Sequence, residues 1–200
     1  MKKILCSFIL FLFLITPFTS FALPITDTIG DVMGMYDVTM MDAVFDSDYL
    51  YIEVQFANDI TSPQDLYGFI DFDTDQNFFT GSISNIDFFG GFSNLGVEYS
   101  LDLNTQMLTD MNTFEETMYD LTFGTNSILA TVSLSALDND DGVVNYAGLF
   151  ADDLFFTNLD FVPDFGYGTS APIAPIPEPA TCLLLLCGIA GMIGVKKQFS

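Results

Sequence analysis

Apolar and polar residues alternate along much of this chain with a period of two. Over Tyr49–Phe56, Leu50, Ile52, Val54 and Phe56 fall on one face and Tyr49, Tyr51, Glu53 and Gln55 on the other. Residues 97–103 (VEYSLDL) repeat the scheme, with Val97, Tyr99, Leu101 and Leu103 inward and Glu98, Ser100 and Asp102 outward. Residues 128–134 alternate in the same way. This period predicts strands with one wet face. Residues 67–72, 118–123 and 143–150 are further predicted strands, punctuated by Gly, Asn and Asp clusters. The one helical expectation is a turn near residues 135–137. Short strands joined by turns predict an all-β fold, an antiparallel β-sandwich of jelly-roll or immunoglobulin-like type, with a barrel as the rival.

The two ends read differently. Residues 1–22 open with Lys2 and Lys3, continue through an apolar run over 4–15, and close with Ser20 and Ala22. That order predicts a secretory signal peptide cleaved after Ala22, an N-terminal membrane anchor being the competing reading. Residues 23–171 form the predicted β-sandwich domain. Pro172, Pro175, Pro177 and Pro179 then predict an extended linker over 172–179. Residues 180–195 carry no charge and predict a transmembrane helix, slightly short of the usual span of about 20 residues, which Lys196 and Lys197 extend by snorkelling. Those lysines favour a cytoplasmic tail over 196–200 and leave the body outside.

Charge sharpens this picture. The chain has 27 Asp and Glu against four lysines, no arginine and no histidine, a formal net charge of −23. The four are Lys2, Lys3, Lys196 and Lys197, so no basic side chain lies between residues 4 and 195. Such a body is repelled by nucleic acid and by anionic membrane surfaces, and its natural partners are cations. It must also fold without a side-chain ion pair. Cys6, Cys182 and Cys187 lie in the terminal segments, so the body has neither a disulfide framework nor a thiol. Without His, Cys, Lys or Arg, nucleophile–histidine triads, Schiff-base lysines and histidine metal sites are excluded. Carboxylate chemistry remains, but Asp73-Thr74-Asp75 lacks the glycine of an aspartic protease motif. The expectation is a protein that is not an enzyme.

The clearest chemical pattern is Asp71-Phe72-Asp73-Thr74-Asp75-Gln76-Asn77, followed by Thr80-Gly81. Acids at alternate positions of a turn can converge on Ca²⁺, which takes six to eight oxygen ligands. Gln76 and Ser82 stand where an EF-hand would need Gly and Glu, so this is a generic calcium turn with Asp71, Asp73, Asp75 and Asn77 as candidate ligands. If Asp71 belongs to the preceding strand, the other three remain. A solvated acidic turn is the alternative. Asp138-Asn139-Asp140-Asp141-Gly142 offers Asp138 and Asp140 as a weaker candidate, with a plain Asp-Gly turn as the alternative. Tyr49, Tyr51 and Tyr67 could stack on sugars if exposed, or serve only as strand and core formers; there is no Trp.

Pro177-Glu178-Pro179, the apolar run after it and the terminal lysines together resemble the PEP-CTERM sorting signal. The family signal is a Pro-Glu-Pro motif, a membrane helix and a basic end, recognised by the membrane protease-transpeptidase exosortase. The resemblance implies a Gram-negative origin, export, an inner-membrane precursor, removal of the tail near residues 177–179, and delivery to the cell surface or an exopolysaccharide (biofilm) matrix. Lys-Lys stands where the family often has arginines. The body, with Asp27, Gly30-Asp31 and Asp37 ahead of YLYIEVQF, IDFDTDQNFFTG and GVEYSLDL, diffusely resembles CBM9-like and DOMON-like sandwiches. Some of those bind sugars or haem, and haem is disfavoured here by the absence of histidine. The expected function is a calcium-stabilised structural or adhesion protein of the surface or matrix. The alternatives are a carbohydrate-binding module and a carboxylate-dependent glycoside hydrolase.

Overall fold

The strands follow the alternation. A computed structural model describes residues 24–173, apart from 33, 35, 61, 62, 139, 154 and 157. Ala22, Pro177, Glu178, Pro179, the apolar run over 180–195, Lys196 and Lys197 lie outside the described residues. By backbone contacts, residues 20–172 form one compact unit. No helix among the described residues is long and apolar enough to cross a membrane.

One sheet runs β1 (Ile25–Thr26), β2 (Val38–Phe45), β3 (Tyr49–Phe56), β11 (Ser127–Ser133) and β10 (Asp120–Phe123). The second runs β13 (Leu159–Val162), β12 (Asn145–Ala151), β4 (Tyr67–Asp73), β7 (Tyr99–Asp102), β8 (Met107–Asp110) and β9 (Glu116–Met118). A small hairpin joins β5 (Ser82–Ile83) to β6 (Gly96–Val97). β14 (Gly168–Thr169) lies along β12, and β15 (Ala171–Pro172) runs parallel to β2; the other pairings are antiparallel. The β2–β3 turn is closed by Asp46, whose Oδ1 accepts from the Asp48 and Tyr49 amides, each at 2.8 Å.

The two sheets share one core. Leu50, Ile52, Val54 and Phe56 of β3 and Ile128, Ala130 and Val132 of β11 meet Ile70, Phe72, Leu101, Tyr146 and Phe150 of the facing sheet. Phe56 and Phe150 touch edge to face, 5.7 Å between ring centres. The fold is thus an antiparallel all-β sandwich, as the alternation predicts.

The expectation of one wet face fails for the second sheet. Residues 77–97 cover its outer side, with a single-turn helix α1 (Asn85–Phe88) and the β5–β6 hairpin. Ile86, Leu95 and Val97 pack there against Ala147 and Leu149, so every residue of β12 is buried. Two predicted strands also break. Val97 pairs with Ser82 in the hairpin, whereas Tyr99 starts β7 beside Phe72, so Val97 belongs to the outer cluster and not to the core. Residues 118–123 split at Tyr119, where the chain leaves the second sheet for the first. Tyr119 is buried in the core and its hydroxyl donates to the Asp102 carbonyl at 3.0 Å. The expected turn near 135–137 is a 3₁₀ turn, Leu134–Leu137.

Carboxylates are buried in both layers. Asp71, on the outer face of β4, accepts from the Asn85 amide (2.6 Å), the Asn85 side chain (2.9 Å) and the Ser100 hydroxyl (2.6 Å), which ties α1 to the sheet. Asp160 of β13 accepts from the Val38 amide at 2.6 Å, linking the two sheets. Burial pushes the Asp160 carboxyl from an ordinary 3.8 up to about 7, and the Asp27 carboxyl up to about 6. An acid raised in this way binds more protons folded than unfolded between those values. In a cation-free buffer, therefore, the stability contributed by these two groups is fully present below about pH 4 and is lost as the pH rises to about 7. We expect the melting temperature of the full chain, in detergent with chelator, to fall between pH 4.5 and 7.5; a rise over that window would contradict the burial of these groups.

Candidate metal centre

β4 delivers Asp73 to its last position, and the chain turns at once. The Asn77 amide donates to Asp73 Oδ1 and to Asp75 Oδ1, both at 2.9 Å, which winds the loop tightly around its own acids. The Thr80 hydroxyl lies against both Asp75 oxygens, at 2.9 and 2.8 Å. A third acid enters from the β6–β7 junction. Glu98 Oε2 accepts from the Thr74 amide at 3.0 Å, while Glu98 Oε1 is buried with no hydrogen-bond partner.

Asp73, Asp75 and Glu98 each offer a carboxylate oxygen within 4.8 Å of the others. Asp73 is buried, Glu98 is half-buried and Asp75 is exposed. Burial raises the Asp73 and Glu98 carboxyls, and the neighbouring carboxylates push the same way. With no cationic side chain among the described residues, this repulsion has no internal remedy. Two oxygens bound to one Ca²⁺ at about 2.4 Å can be no more than about 4.8 Å apart. The three acids meet that limit, and an all-oxygen set suits a hard cation. Asp73, Asp75 and Glu98 are the residues that would hold it.

Glycine shapes the pocket. Gly81 has φ +67° and faces the Glu98 carboxylate: a Cβ there would lie 2.6 Å from Glu98 Oε1 and 2.5 Å from the Val97 carbonyl. Only a residue without a side chain lets the loop close over Glu98.

Of the residues expected from the sequence, Asp73 and Asp75 come together. Asp71 does not join them, because its two oxygens are taken by Asn85 and Ser100. Asn77 contributes its amide to the two acids, and its side-chain oxygen accepts from the Phe79 amide at 3.2 Å. Asp138 and Asp140 stand in neither carboxylate cluster among the described residues. Asp138 caps the 3₁₀ turn in a left-handed conformation, and Asp140 accepts from the Gly142 amide at 2.7 Å, as in an ordinary turn. Glu98 is the member that sequence reasoning missed. Its one signal is an acid at an outward strand position, which gains meaning only when β7 is known to pair with β4. Of the tyrosines, Tyr49 is exposed beside a cleft of about 350 Å³ lined by Ser47, Asp48, Ser133 and Ser135. Tyr51 donates to Asp46 at 2.9 Å, and Tyr67 is half-buried.

Gly81→Ala should lower the melting temperature. The left-handed backbone alone costs about 1–2 kcal/mol, or roughly 2–8 °C in a domain of this size, and the contact with Glu98 adds to it. Glu98→Gln should melt at or above wild type in chelator, because it removes a repelled charge, yet gain less than wild type from millimolar Ca²⁺. An unchanged calcium response in that variant would rule Glu98 out as a ligand. No protein-family model matches this chain and no curated protein matches it, so its chemistry stands on the side chains themselves.

Proposed function

We propose that the chain is an exported structural or adhesion protein, a jelly-roll or immunoglobulin-like sandwich stabilised by calcium and sorted by exosortase to the surface or exopolysaccharide matrix of a Gram-negative bacterium. The observation that carries the calcium part is the buried, unpartnered Glu98 Oε1 beside Asp73 and Asp75 in a body without any cationic side chain. A bound cation there offsets acidic repulsion, and calcium can bridge the same acidic surface to anionic polysaccharide. The sorting part rests on Pro177-Glu178-Pro179, the apolar run over 180–195 and Lys196-Lys197, in a chain that opens with a signal-peptide pattern ending at Ala22.

A carbohydrate-binding role is the second reading, favoured by exposed Tyr49 at the mouth of a polar cleft. Retention on polysaccharide beads that is lost in Tyr49→Ala separates it from a purely structural role.

The sorting signal is tested in a Gram-negative host that encodes an exosortase. Replacing Pro177, Glu178 and Pro179 by alanine should leave the chain at precursor size and in the membrane fraction, whereas wild type is shortened and leaves the membrane. Equal processing of the two would overturn the assignment of the tail.

A further inference from the structure

A second carboxylate cluster lies past the end of β13, the edge strand of the second sheet. Asp27 follows β1, Asp31 and Asp37 lie in the β1–β2 connection, Asp160 is in β13, and Asp164 follows it. Asp27, Asp31 and Asp164 each present an oxygen within 4.8 Å of the others. Asp37 and Asp160, 5% and 1% exposed, are not part of that group. The charges of Asp27, Asp31 and Asp37 all act on Asp160, and the Asp27 and Asp160 carboxyls lie within hydrogen-bonding range of each other. One oxygen of each buried acid is engaged: Asp37 Oδ2 accepts from the Gly30 amide at 2.8 Å, Asp160 Oδ2 from the Val38 amide at 2.6 Å, and Asp27 Oδ1 from the Thr28 amide at 2.9 Å. The remaining oxygens, Asp27 Oδ2, Asp37 Oδ1 and Asp160 Oδ1, are buried without a hydrogen-bond partner.

A buried carboxylate oxygen lacking a donor is costly, and more so when charged. Asp27 Oδ2 and Asp160 Oδ1 belong to neighbouring carboxyls, and Asp27 also groups with the exposed Asp31 and Asp164. A hydroxyl or amide would have been the ordinary partner, as Ser100 and Asn85 are for Asp71. A water, a proton shared between two carboxyls or a cation can fill the role. Three grouped acids beside a fourth exceed what one proton satisfies, and an all-oxygen set suits calcium, whose shell water can complete.

We propose that Asp27, Asp31 and Asp164 hold a second calcium ion beside the buried Asp160, and that this ion pins the β1–β2 connection of one sheet to the end of β13 of the other. It is independent of the Asp73–Asp75–Glu98 centre. Asp160 pairs with Phe150, which pairs with Gly68 of β4, whereas Asp73 is the other end of β4. The two groups share no residue, and β12 lies between β13 and β4. Asp160, beside the second group, reaches β2 through the core side, whereas Asp73 points outward.

Equilibrium dialysis of the full chain in non-ionic detergent at pH 7.5 with ⁴⁵Ca²⁺ decides it. Wild type should bind two ions per chain, and Asp31→Asn with Asp164→Asn should bind one. Both residues are exposed, so the pair should keep the wild-type circular dichroism spectrum; Asp160→Asn, whose amide link to Val38 is at risk, serves as a second variant. Asp75→Asn with Glu98→Gln should also bind one, and all four changes together none. Two ions retained by Asp31→Asn with Asp164→Asn would overturn the proposal. So would a wild-type stoichiometry of one that Asp75→Asn with Glu98→Gln abolishes, and that outcome would leave the first centre standing. A stoichiometry of one abolished only by Asp31→Asn with Asp164→Asn would support this site and dismiss the other. No binding at all, with stability responding to pH alone, would mean a shared proton and overturn the proposal.

Discussion

Every buried carboxylate in this body must be satisfied without a positive side chain. That constraint organises much of the polar structure. Backbone amides do most of the work: Asp160 holds the Val38 amide and Asp73 the Asn77 amide, and the exposed Asp46 and Asp75 hold amides in the same way. Side-chain hydroxyls and amides do more, with Asp71 held by Ser100 and Asn85. Where amides and hydroxyls run out, oxygens are left facing one another, at Glu98 and around Asp160. At these places a proton, a water or a cation can serve as the partner that arginine or lysine supplies in other proteins.

The outer layer over the second sheet shows how the fold makes such places. A sandwich needs only one buried face on each sheet, but residues 77–97 bury the other face of β4 and β12 as well. Acids that a simple sandwich would leave in water are thereby covered: Asp71 fully, Asp73 almost fully. The same segment supplies Gly81, which lets the loop close over Glu98. Burial and charge are thus brought together by a connection, not by the strands themselves.

Legibility followed the local pattern. β3 matched its alternation residue for residue, and β4, β11 and β12 were found to within a few positions, because their inward sets keep period two. β2 escaped notice for a definite reason. Its buried residues are Val38, Met41 and Ala43, and the register slips between Val38 and Met40, so the bulge hides the alternation. Residues 97–103 and 118–123 look continuous but change partners at Glu98 and Tyr119, which no period reveals. For the centre, the two acids of the β4 turn were visible as neighbours in sequence, whereas Glu98 required the pairing of β7 with β4. Asp160 carried no signal, since an isolated acid in a strand reads as a wet position.

β2 is where the body begins and ends. β1 lies along its Met40–Met41 stretch and β15 along Val44 and Phe45, so the first and last strands share one edge. That edge is closed to a foreign strand over those stretches. It also sets how the body bears force. Tension entering through Pro172 acts on a two-residue parallel ladder in shear and passes into β2, whose long pairing with β3 leads straight into the core. A body held by either end is therefore gripped at its rim, and its core is the last part to be strained.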